Sequence, residues 1–250
     1  MVWAERMKNY HRGELQPAVT RWRAAHWFAC IWFYVCSSVW AMGESPQPSF
    51  TTECNFSTLV TETDKQGLNV RLVPSQTARV LGQLAPVFLT RDRYCYPVKV
   101  VVDVLRSRDG WIEIDNAADN ETLTERPAHP MYGGPGWVSG RKLTVKSQAV
   151  AGYGAPDVNA KVVLRSAQGW SLDMESMIRS GQLVGCRDRW ALVEFDLGKI
   201  DIDIAKELEI DPAARAGLPR GRFRAWVNQI CGIQETTCDG LGGDESEPTR

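Results

Sequence analysis

Gly136-Trp137-Val138-Ser139-Gly140-Arg141-Lys142-Leu143 reads as the closing strand of a compact β unit. A glycine admits a close backbone approach, tryptophan and valine suit a pleated surface, and Ser139-Gly140 turns the chain before Leu143 returns to apolar ground. A related stretch, Arg224-Ala225-Trp226-Val227-Asn228-Gln229-Ile230, recurs near the C-terminus. If each closes one unit, the chain between and before them holds two copies of one small fold.

Working outward, short extended segments alternate with turns. Ser57-Thr58-Leu59-Val60-Thr61 is rich in strand formers, and Gly67–Val73 alternates apolar and polar residues until Pro74 stops it. Val98–Val104 is the most strand-like run. Arg108-Asp109-Gly110 turns it back into Trp111-Ile112-Glu113-Ile114-Asp115 as a hairpin partner. A polar loop with Pro and Gly, 116–135, precedes the closing strand. The pattern then repeats. Ala78, Val80 and Leu81 follow Pro74 at the same spacings as Ala160, Val162 and Val163 follow Pro156. Gln182-Leu183-Val184, a turn at Gly185 to Asp188 and Trp190–Phe195 mimic the earlier hairpin. An insertion at about 197–220 delays the second close. Within it Ile204–Glu209 is expected as a short helix ended by Asp211-Pro212. Many short strands with turns predict an all-β protein.

The chain has 250 residues and a net charge of -1, which gives no sign of a nucleic-acid partner. That total hides an asymmetry. Five basic residues (Arg6, Lys8, Arg12, Arg21, Arg23) face two acids in residues 1–41, so the body is mildly acidic. Arg21 and Arg23 precede the apolar run Trp27–Cys36, small residues follow, and Val39 and Ala41 suit a signal peptidase. Residues 1–41 are therefore expected to be a secretory signal cut after Ala41. The alternative is an uncleaved anchor, for which Trp27 to Met42 falls short of the roughly 20 residues that span a bilayer. After cleavage no stable membrane span is expected, and the body is placed in the periplasm or outside the cell. Residues 42–58 begin Pro- and Ser-rich and read as a linker, and 239–250 as a flexible acidic tail.

Five cysteines remain beyond the leader: Cys54, Cys95, Cys186, Cys231 and Cys238. Cys231 and Cys238 sit in Cys-Gly-Ile-Gln-Glu-Thr-Thr-Cys, where a local disulfide would pin the terminus. The pairing of Cys54, Cys95 and Cys186 stays open. Zinc sites need tight pairs such as C-x₂₋₄-C, and none occurs, so no metal and no cofactor are expected.

The first copy resembles the bacterial SH3-like (SH3b) family. The residues that carry this are Leu68-Asn69-Val70-Arg71, Pro74-Ser75, Val80-Leu81-Gly82, Gly110-Trp111-Ile112-Glu113-Ile114 and Gly136-Trp137-Val138. The similarity covers roughly 59–145. The second copy, 146–238, is weaker: it lacks Leu-Asn-Val-Arg, and Ala225 replaces the closing glycine. The resemblance implies two small SH3-like β-barrels in tandem, with Trp137 and Trp226 in the structural closing strands. It also implies recognition of cell-wall peptide or an envelope protein partner, which with the leader and the lack of catalytic groups gives an exported, non-catalytic binding module as the expectation. A targeting subunit of a wall hydrolase and a periplasmic inhibitor or immunity protein are the alternatives. SH3-like folds commonly bind peptides on exposed rings, which makes Tyr94, Tyr96, Tyr132 and Tyr153 the candidate binding residues.

Catalysis has little to work with. His129 is the only histidine beyond the leader, and triad chemistry requires a base beside a nucleophile. It lies in a polar loop, Pro127-Ala128-His129-Pro130, and reads as an exposed side chain. Asp201, Asp203, Glu207, Glu209 and Asp211 crowd the insertion, but Ile200, Ile202 and Ile204 interleave them, as on a solvated amphipathic face. The expectation is therefore no enzyme activity and no catalytic residue.

Overall fold

The computed structural model describes residues 50–90, 95–119, 123 and 129–234. The expected signal sequence with Ala41, the acidic tail, Tyr94 and Cys238 lie outside the described residues. Among the described residues no helix is long and apolar enough to cross a membrane.

The protein is all-β, as its alternating pattern requires. A seven-stranded antiparallel sheet is built from β1 (Thr52–Val60), β2 (Leu68–Arg71), β3 (Val80–Leu84), β6 (Val101–Arg108), β7 (Trp111–Ala118), β8 (Gly136–Ser139) and β9 (Leu143–Thr144). Its order is β3-β2-β8-β7-β6-β1-β9. β4 (Phe88–Leu89) and β5 (Pro97–Val98) form a separate ribbon, and β10 (Lys146–Ser147) pairs with β17 (Ile230–Cys231). A six-stranded sheet contains β11 (Ala151–Tyr153), β12 (Val162–Ser166), β13 (Gly181–Arg187), β14 (Trp190–Asp196), β15 (Leu208–Ile210) and β16 (Arg222–Val227), in the order β13-β14-β16-β11-β12-β15.

Both sheets are open. Among the described residues β3 and β9 are the edges of the first and β13 and β15 of the second, so neither sheet closes into the barrel expected from the sequence. β1 begins at Thr52, inside the stretch read as linker, and runs antiparallel to β6 from Thr52↔Ser107 to Leu59↔Val101. The second hairpin turns at Asp188, later than expected, because Gly185 remains in β13 beside a bulge.

The two sheets share one strand plan. The order β3-β2-β8-β7-β6 recurs as β12-β11-β16-β14-β13. Arg71 faces Trp137 across β2 and β8, and Tyr153 faces Trp226 across β11 and β16. The hairpin loops match bond for bond. Leu72 N donates to Arg79 O at 3.0 Å, and Gly154 N to Lys161 O at 2.8 Å. Ser75 N donates to Val73 O and Asp157 N to Ala155 O, each at 2.8 Å. The strand before each plan pairs with the strand after it, β1 with β9 and β10 with β17.

One core serves both plans. A single buried cluster runs from Val60, Val102, Ile112 and Val138 to Leu183, Val193 and Phe223. Sheets this small would each bury a marginal core alone. Across their seam Cys54 of β1 is disulfide-bonded to Cys186 of β13. Ladder bonds flank it: Asp188 N donates to Glu53 O and Asn55 N to Asp188 O, each at 2.8 Å. Thr52 Oγ1 donates to Cys186 O at 2.6 Å, and Cys186 N donates to Ser107 Oγ at 3.0 Å. Gly140 also lies on the seam. A Cβ there would collide with the Leu183 carbonyl oxygen and crowd that of Gly110, so only glycine lets the closing turn approach β13.

The insertion is more ordered than a loop with one helix. Helix Ile202–Glu207 starts and ends earlier than the sequence pattern indicates, and Leu208–Ile210 leaves it to become edge strand β15 against β12. Asp211 then caps a 3₁₀ turn, Pro212–Arg215, by accepting from Ala213 N.

Candidate functional site

The seam between the two sheets opens into a cleft of about 540 Å³, within the range of about 300–1,000 Å³ typical of ligand sites. The chain just beyond β1 and around β5 forms one wall. The 3₁₀ turn Gly140–Lys142 and β9 form its floor, and the helix Glu175–Ser180 with the start of β13 forms the other wall. Five cationic side chains, Lys99, Arg141, Lys142, Arg179 and Lys199, line it against one carboxylate, Glu175. Val87, Pro97 and Ile178 add apolar surface.

Each cation is placed by local structure. The helix carries Glu175 in its first turn and Arg179 in its last, the arrangement its dipole favours. Its terminal carbonyl at Ile178 accepts from the buried Thr144 Oγ1 at 2.5 Å, which fixes the helix to β9. Lys99 follows β5, and its backbone N–H donates to Gln234 Oε1 at 2.8 Å. Gln234 Nε2 donates to Pro97 O, and Tyr96 Oη donates to Gln234 O at 3.4 Å. One buried glutamine thus holds the segment bearing Lys99.

Two of the five cations already have carboxylate partners. Lys142 Nζ lies 3.1 Å from Glu62, and Arg179 lies 2.9 Å from Asp201. Among the described residues Lys99, Arg141 and Lys199 make no ion pair, although the charge of Glu175 acts on Lys99. Burial pushes the Lys99 ammonium below the ordinary lysine value, and the charge of Glu175 opposes that shift. For Glu62 burial works against ionisation. The backbone N–H of Asp64, the Lys142 ammonium and the backbone N–H of Thr63 outweigh it and hold the carboxyl below its usual value. An anion in the cleft would relieve the crowding of like charge and compensate the desolvated lysine.

The tyrosines expected to bind are dispersed. Tyr96 contacts Gln234 at the edge of the cleft. Tyr132 packs on Gly82, where a Cβ would strike its ring, and donates from Oη to Pro135 O at 3.0 Å. Tyr153 meets Trp190 edge to face at 5.5 Å in the second sheet. Tyr96, Tyr132 and Tyr153 thus have separate surroundings. Trp137 is buried at 8% exposure and Trp226 is half-buried, both within the closing strands. Cys231 is disulfide-bonded, and Cys238, its expected partner, lies outside the described residues.

His129 is half-buried and paired: its Nδ1 lies 2.5 Å from Asp119 Oδ2, which also accepts from the His129 backbone N–H at 2.9 Å. Among the described residues no hydroxyl or thiol bonds to its ring, and no three His, Cys, Asp or Glu side chains converge to hold a metal. Four of the five acids of the insertion are ion-paired at the surface, and the fifth, Glu207, accepts from Gln168 Nε2 at 3.2 Å. Asp201 pairs with Arg179, Asp203 with Lys206, Glu209 with Arg165 and Asp211 with Lys161.

The cationic cleft was not visible in the sequence. Its charges come from separated segments, and only Arg141-Lys142, directly after the close-packed Gly140, gave a local sign. No protein-family model, curated protein or solved structure matches the chain.

Proposed function

We propose that this chain is an exported, non-catalytic binding module of the cell envelope and that the seam cleft holds its ligand, an anionic wall peptide. The observation that carries this is the lining of five cations against one carboxylate, three of the cations without an ion-pair partner among the described residues. Wall peptides offer free carboxylates, and a cleft that is part apolar and part cationic suits them better than it suits a simple inorganic anion. The Cys54–Cys186 disulfide supports an oxidising compartment, and the leader-like residues 1–41 support export. The shared strand plan supports reading the two halves as tandem SH3-like units that have lost barrel closure at the seam.

The test is cosedimentation of the full chain with purified peptidoglycan. Retention that falls as salt rises supports the reading, because exposed charge attraction is screened within roughly 8 Å at physiological ionic strength. Absence of retention at low salt contradicts it.

A further inference from the structure

Gln234, the last described residue, sits beside the cationic cleft. Its side chain accepts from the Lys99 backbone N–H at 2.8 Å and donates to Pro97 O, and both of those residues line the cleft. Lys146 Nζ donates to the preceding carbonyl, Ile233 O, at 3.2 Å, and Tyr96 Oη donates to Gln234 O at 3.4 Å. Gln234 itself is buried, at 8% exposure. These bonds bring the chain to residue 234 at the cleft wall and hold it there.

The sequence beyond Gln234 complements the cleft in charge. Residues 239–250 carry four acids, Asp239, Asp244, Glu245 and Glu247, against one base, Arg250. After the glycine-rich spacer Gly240-Leu241-Gly242-Gly243, the run Asp244-Glu245-Ser246-Glu247 concentrates three carboxylates in four residues. The cleft offers five cations against Glu175, of which Lys99, Arg141 and Lys199 make no ion pair among the described residues. Asp244 lies ten residues beyond Gln234, a reach of up to about 33 Å when extended. With Cys238 held at Cys231, six residues remain before Asp244, still up to about 20 Å. Either length suffices to enter a cleft of about 540 Å³.

We propose that the acidic run Asp244–Glu247 of the same chain occupies the cationic cleft and competes with its ligand. A tethered segment acts at an effective concentration on the order of 1 mM. A run whose own dissociation constant is about 0.1 mM then weakens an outside ligand about ten-fold without abolishing its binding. The proposal rests on the reading of the cleft as the binding site, but not on the ligand's coming from the wall.

Two experiments on the full chain test it. In the first, a carbodiimide activates carboxylates, and a neighbouring lysine amine displaces the urea to form an amide with no added spacer. The reaction is run on mixed isotope-labelled and unlabelled chains and mapped by mass spectrometry. Amides from Asp244, Glu245 or Glu247 to Lys99, Lys142 or Lys199 within one chain are expected. Tail amides only between chains, only to lysines outside the cleft, or none at all overturn the proposal. In the second, the synthetic peptide Asp-Gly-Leu-Gly-Gly-Asp-Glu-Ser-Glu-Pro-Thr-Arg is titrated into the parent and into its Asp244→Asn/Glu245→Gln/Glu247→Gln variant. It is expected to bind the variant about ten-fold more tightly, and to lose that affinity when Lys99→Gln/Arg141→Gln/Lys199→Gln is added. Equal affinity for parent and variant, no binding to the variant, or binding indifferent to the cleft substitutions overturns the proposal. Retention on purified peptidoglycan separates this proposal from the wall reading. A parent retained as well as the tail variant overturns the tail's role and leaves the wall reading in place. Within-chain amides and peptide competition, with neither chain retained, support the tail in the cleft and remove the wall as its competitor.

Discussion

Cys54 and Cys186 join the two sheets directly, with their Cα atoms 5.9 Å apart at a sequence separation of 132. The bond sits where β1 of the first sheet and β13 of the second run side by side, and ladder bonds from Asp188 flank it. It therefore fixes the walls of the seam as well as shortening the unfolded chain. Replacing both cysteines by serine is expected to cost about 2–4 kcal/mol, read as a lower urea midpoint. A double variant as stable as the oxidised parent would show that the seam does not depend on the bond.

Gly140 gives a second, sharper test of the seam. Gly140→Ala places a methyl against the Leu183 and Gly110 carbonyls, whereas Gly133→Ala meets nothing within 4 Å. The first is expected to lose about 1–3 kcal/mol and the second to stay within about 0.5 kcal/mol. Equal midpoints for the two variants would contradict the close approach of the turn to β13.

Glu62 links stability to pH. Its folded carboxyl titrates below its ordinary value of 4.5, so ionised Glu62 stabilises the fold above that pH. The contribution is lost as pH falls through the lower, folded value. Glu62→Gln is expected to lower the urea midpoint at pH 7, and the gap between variant and parent should narrow as pH falls below 4.5. A gap that persists or widens in acid would contradict the sign. The same variant leaves Lys142 without its partner, which adds one more uncompensated cation to the cleft.

His129→Ala separates binding from catalysis. The Asp119–His129 pair lies beside Phe88, with ring centroids 6.0 Å apart, and no lining of the cationic cleft comes from it. Retention on peptidoglycan is expected to be unchanged. Wall-degrading activity in the parent that disappears in this variant would overturn the non-catalytic reading.

Much of the backbone was legible because local rules decide it. Asp109 and Gly110 both adopt positive φ, at 52° and 78°, as the tight hairpin read from their sequence demands. Pro74 and Pro156 mark matching loops because the same turn chemistry recurs in both. The Val98–Val104 run misled in part. Its valine-rich composition hides a break at Lys99-Val100, where the β4–β5 ribbon ends and the main sheet starts. Sheet closure and the seam were not legible, since both depend on contacts between distant segments. Nothing local distinguishes Cys186 from Cys95 as the partner of Cys54. Nor does any local pattern announce that Lys99, Arg141 and Lys199 share one cavity.

The central claim is that the charge of the seam cleft holds the ligand, and the most direct measurement is peptidoglycan cosedimentation of the full chain beside its Lys99→Gln/Arg141→Gln/Lys199→Gln variant. All three side chains are at least partly exposed, so the variant is expected to keep the parent's urea midpoint within about 1 kcal/mol. Retention of the parent is expected to be salt-sensitive, and the variant is expected to lose most of it. Equal retention of the two, or none for the parent, would contradict it.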